Sequence, residues 1–64
     1  MNATDKQIGY IKAMARRLGF RDDICAVDDY GFGIRSVSAL TRREASELID
    51  WLKTNPAPRA REAA

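Results

Sequence analysis

Four cations near the start of the chain have the spacing of a phosphate-contacting surface. At about 100° per residue, Lys6, Lys12 and Arg16, with Gly9 and Ala13 between them, fall on the side of a helix opposite Ile11 and Leu18; Arg17 follows directly. A stripe of this kind neutralises nucleic-acid phosphates and gives salt-dependent, largely sequence-independent binding. Arg42 and Arg43 are further candidates for the same role. The competing reading is a solvated face, since any small soluble helix carries Lys and Arg to stay in water. Gly9 favours the first reading. A glycine inside a helix costs about 1 kcal/mol relative to alanine, which predicts a close approach to the backbone there, by another helix or by a ligand.

A second group is acidic and aromatic. Residues 1 to 21 hold five basic residues against Asp5 alone, whereas residues 22 to 34 hold Asp22, Asp23, Asp28 and Asp29 and no base. Calcium chemistry would need alternating oxygen ligands and a terminal Glu, and Asp28-Asp29-Tyr30-Gly31 has neither, so no metal is expected. Helix capping and turn formation account for these aspartates, which are also placed to pair with the basic stripe. Tyr30, Phe32 and Trp51 stack bases if exposed and otherwise complete a small core. Tyr30-Gly31-Phe32-Gly33-Ile34 is similar to the aromatic motif of RNA-recognition domains, but it lacks the leading basic residue and the four strands such domains need. Asp28, Asp29, Tyr30, Phe32 and the Trp51 face thus form the alternative site, a surface for a protein partner.

Composition narrows the chemistry further. The 64 residues include no His and a single Cys, with 11 Lys and Arg against nine Asp and Glu. One small domain is all that this length supports. Cys25, between Ile24 and Ala26, has no His to activate it and reads as a small hydrophobe. The convergent acid, base and nucleophile of an enzyme site are missing, so the expectation is a non-enzymatic module with no cofactor. No apolar run is long enough for a membrane helix, and the N-terminus lacks the charged and apolar regions of a secretory signal; a cytoplasmic protein is expected.

The elements that must position these groups are marked by local signals. Thr4-Asp5-Lys6-Gln7 is a capping box, and Ile8, Ile11, Ala15 and Leu18 make an apolar face that Tyr10 and Met14 widen. With Gly19 as the stop, the first helix is predicted from Asp5 to Leu18. A second capping box, Thr41 with Glu44, opens a helix predicted from Arg42 to Lys53, with a staple between Leu40 and Ala45 and a stop at Thr54-Asn55-Pro56. Asp22 or Asp23 caps a short middle helix through Ile24, Ala26 and Val27, followed by a turn over Asp28 to Gly33. Ile34 to Ser38 alternates apolar and polar residues, so a short strand, paired in a hairpin across Gly31 to Gly33, is the alternative to loop.

These elements predict a mainly all-α domain over residues 3–55 with a flexible Pro/Ala/Arg tail over 56–64. Neither long helix is stable alone, so their faces must meet, most simply as an antiparallel or crossed pair with the middle segment as lid. The expected core is Ile8, Ile11, Met14, Leu18, Phe20, Ile24, Val27, Val37, Leu40, Leu48, Ile49 and Leu52. So small a core also makes a homodimer plausible, with Trp51 or Tyr10 at the seam.

Thr4-Asp5-Lys6-Gln7-Ile8 through Leu18-Gly19, followed by Leu40-Thr41-Arg42-Arg43-Glu44-Ala45-Ser46-Glu47-Leu48-Ile49, resembles a short module of phage and bacterial proteins, among them the Mu-like phage Gem regulatory family. The likeness spans most of residues 3 to 53. It implies a DNA-associated regulatory role and no catalytic residue.

Overall fold

In a computed structural model residues 1–58 are described, and they form three α-helices and one short 3₁₀ turn. Helix α1 covers Asp5–Leu18, α2 Asp23–Tyr30 and α3 Arg42–Leu52, with the 3₁₀ turn at Val37–Ala39. No strand occurs among the described residues; the one bridge is an isolated antiparallel pair, Asn2 with Thr41. No helix among them is long and apolar enough to cross a membrane.

Both capping boxes form as their spacing predicts. The Thr4 hydroxyl accepts from Gln7 N–H at 3.1 Å while Gln7 Oε1 accepts from Thr4 N–H at 3.0 Å. Thr41 and Glu44 repeat the exchange at 3.1 and 2.9 Å. Each box satisfies donors that a helix start would otherwise leave without partners. Gly19 ends α1 in the left-handed region at φ 95°, where its missing Cβ avoids strain, and Phe20 N–H donates to the Ala15 carbonyl at 2.9 Å. Helix α3 ends at Leu52, with Lys53 as its cap and Asn55 left-handed at φ 58° before Pro56.

The two long helices run in the same sense. At one end Gln7 Nε2 donates to the Arg42 carbonyl at 3.2 Å, and Ala3 N–H donates to the Leu40 carbonyl at 2.8 Å. At the other end the rings of Phe20 and Trp51 lie 6.0 Å apart. Both starts are adjacent and both ends are adjacent, which excludes the antiparallel pairing, one of the two arrangements, antiparallel or crossed, expected from sequence. The reason is the long connection, residues 19 to 41, which carries the chain back to the starting edge. Helix α2 lies across the C-terminal end of the pair, bringing Tyr30 within 5.3 Å of Trp51, ring to ring.

Ile11, Leu40, Leu48, Leu52, Val27 and Val37 are fully buried, joined by Ala15, Phe20, Ala26 and Ala45; Ile8, Met14, Leu18 and Ile49 pack against them partly covered. Leu40 and Ala45 are both buried, as the staple requires.

Two local expectations are corrected, and one alternative is excluded. Ile24, expected in the core, is exposed. The face that α2 buries is set by Ala26, Val27 and Tyr30, and Ile24 lies more than about 100° from its centre. Asp28, Asp29 and Tyr30, expected in a turn, form the last turn of α2, because Gly31 at φ 118° supplies the stop only after them. Ile34 to Ser38 is neither strand nor half of a hairpin. Val37 is drawn into the core and the chain closes a 3₁₀ turn around it, Leu40 N–H donating to the Val37 carbonyl at 3.1 Å. Of the tail expected over 56–64, residues 59–64 lie outside the described residues, and Pro58 reaches back toward Gly19.

Candidate nucleic-acid interface

The solvent face of α1 is built by default from what its core face excludes. Ile11 and Ala15 are buried, so Lys6, Lys12, Arg16 and Arg17 are turned outward, and all four are exposed. From Lys6 to Arg17 the face runs about 16 Å along the helix. Lys12, Ala13, Arg16 and Arg17 line a shallow open hollow of about 450 Å³. Among the described residues no carboxylate is ion-paired with any of these four cations.

Arg21 joins this group, although the spacing argument missed it. Lys12, Arg16, Phe20, Arg21, Asp22 and Asp23 line a second hollow of about 220 Å³. The signal was Gly19: a left-handed stop followed by a backbone bond from Phe20 folds the chain back, returning residue 21 to the flank of α1. Asp22 and Asp23 therefore bound the basic face at its C-terminal edge. Asp22 is committed as the α2 cap, accepting from Cys25 N–H at 2.8 Å, and that bond holds its carboxyl below the ordinary aspartate value.

The remaining cations of the expected interface separate from this face. Arg42 and Arg43 lie at the start of α3, beside the start of α1, whereas Lys12, Arg16 and Arg17 lie toward its far end. Arg43 faces Glu47 at 3.8 Å on α3 itself. Arg35 is structural: it bonds Glu44 at 3.2 and 3.4 Å and the Ala39 carbonyl at 3.1 Å, tying the loop after α2 to the start of α3. The Thr41 N–H, and then Arg35, hold the Glu44 carboxyl below its ordinary value.

Gly9 is not crowded. A Cβ placed there meets nothing within 4 Å, so no helix of this domain is the close approach that its presence predicted. The residues of the alternative site are gathered differently from expectation. Tyr30 and Phe32 pack edge to face at 4.9 Å, Tyr30 meets Trp51, and Trp51 meets Phe20, so these rings are half-buried or buried against one another. Trp51 is accordingly not an exposed seam. Asp28 and Asp29 sit half-buried on α2. The freely exposed apolar side chain of this region is Ile34, 82% accessible beyond Gly33.

Comparison with known protein families, with curated proteins and with solved structures finds no match to this chain.

Proposed function

We propose that the domain is a non-enzymatic accessory or regulatory module that contacts nucleic-acid phosphates through the outward face of α1. One observation carries this reading: Lys6, Lys12, Arg16 and Arg17 are exposed together on one helix, with no carboxylate among the described residues ion-paired to them. Elsewhere Arg35 and Arg43 are each held by a glutamate. Four cations free of ion pairs on one helix release counterions when they meet phosphates, and binding follows from that release. Lys6 anchors the N-terminal end of the contact, Arg16 and Arg17 the C-terminal end, and Arg42 and Arg43 extend it only at the margin. The resemblance to the Mu-like phage regulatory module supports the same reading.

The test is charge reversal of Arg16 and Arg17 to Glu in the full chain, followed by fluorescence anisotropy with labelled nucleic acid. A loss of about 100-fold or more with an unchanged circular-dichroism spectrum is expected. Unchanged binding would refute the assignment. Exposed Ile34 favours a second reading, a protein-docking surface made by the loop after α2 together with Asp28, Asp29, Tyr30, Phe32 and Trp51; under it, Ile34→Asp abolishes partner binding while the arginine reversal leaves it intact.

A further inference from the structure

The charged face of α1 and the fate of the aromatic rings together define which form of nucleic acid fits. We infer, on the basis of the proposed phosphate contact, that the face recognises the backbone of a duplex rather than a single strand.

Proteins that hold single strands combine cations with exposed aromatic rings on which bases stack. Here four of the five aromatics are withdrawn from that role. Phe20 is buried, and Trp51, Tyr30 and Phe32 are half-buried and packed with it in a continuous ring-to-ring series. Only Tyr10 shares the exposed face, and it is 40% accessible. With four of the five rings engaged inside the domain, attraction comes mainly from charge. It then scales with the phosphate density of the polymer. A duplex presents one charge per about 1.7 Å of axis, against one per about 3.4 Å for a single strand. Over the roughly 16 Å from Lys6 to Arg17, the duplex offers about twice the density to the same four cations.

The face is poor in groups that read adenine. Asn and Gln, which pair with adenine edges, are missing from its exposed positions, and its charged side chains are Lys and Arg, which serve phosphates equally well. The expected mode is backbone contact without sequence preference, shared by DNA and RNA duplexes.

The experiment uses the full chain with labelled duplex DNA, duplex RNA and an unstructured single strand of equal length, across a salt series, with polyglutamate as an acidic non-nucleic competitor. Duplex DNA and duplex RNA should bind within a few-fold of each other and at least about five-fold more tightly than the single strand. The slope of log affinity against log salt should be about −3.6 for a duplex contacted by four cations. Arg16→Ala with Arg17→Ala should reduce that slope by about 1.8, and Tyr10→Ala should leave every affinity unchanged. Single-strand binding equal to or tighter than duplex binding, or a loss on Tyr10→Ala, overturns the duplex inference while the phosphate reading stands. Displacement by polyglutamate as effective as by duplex also overturns it, pointing to an acidic protein. No binding to any nucleic acid at low salt overturns both.

Discussion

Helices α1 and α3 are built by the same local rules and lie side by side in the same sense, yet they present opposite surfaces to solvent. Each opens with a Thr capping box and buries an apolar stripe, Ile11 and Ala15 in one, Ala45, Leu48 and Leu52 in the other. Outward, α1 carries Lys6, Lys12, Arg16 and Arg17 with Asp5 as its single acid, whereas α3 mixes Arg42 and Arg43 with Glu44, Glu47 and Asp50 and pairs Arg43, Glu44 and Glu47 within the domain. The pairing of faces makes the fold; the unpaired surface of one helix makes the candidate site. The stabilising face and the candidate site thus lie on different sides of the same element.

Four kinds of substitution probe that comparison. Truncating the shared core has the largest effect: Leu48→Ala on α3 and Ile11→Ala on α1 should each cost about 2–5 kcal/mol in urea unfolding, because both side chains are fully enclosed. In a domain this small such a loss approaches the whole stability. A much smaller cost at one of them would mean that the two helices do not share one core. Removing the caps comes next. Thr4→Ala and Thr41→Ala should each lose about 1 kcal/mol, read as a shift in the urea midpoint.

Gly9→Ala works in the opposite direction. The position is exposed, mid-helix and open, so alanine should stabilise by roughly 0.5–1 kcal/mol and raise the melting temperature by a few degrees. Destabilisation would reveal a backbone requirement at Gly9 that the free domain does not show. The smallest effect is electrostatic. Glu44 has a folded-state value below its ordinary 4.5, so its contribution is present above that value and is lost as pH falls through the lower, folded-state one. Acid titration of stability should therefore flatten in Glu44→Gln, and an unchanged acid limb in that variant would break the assignment.

Legibility followed the range of the interactions involved. Both capping boxes, the Gly19 stop and the Asp22 cap depend on residues three or four apart, and each formed where its spacing indicated. The middle of the chain was harder because its conformation answers to distant partners. Val37 takes a 3₁₀ turn instead of a strand because the core between α1 and α2 claims its side chain, and no neighbour in sequence announces that. Ile24 is exposed because Ala26, Val27 and Tyr30 set the phase of α2 against the pair, and in a short helix with a weak apolar stripe several phases are open.

The same division holds for the candidate site. That Lys6, Lys12, Arg16 and Arg17 share an outward face follows from helical periodicity and the burial of Ile11, so the sequence alone determined it. Three features were decided by tertiary structure. Arg21 was folded back onto that face, Arg35 was taken up by Glu44, and Tyr30, Phe32 and Trp51 were turned onto one another. Periodicity orients a side chain relative to its own helix, but whether a charge stays unpaired or a ring stays exposed depends on what the rest of the chain brings to it. In a domain of 64 residues, that is set by the connection that returns α3 to the start of α1.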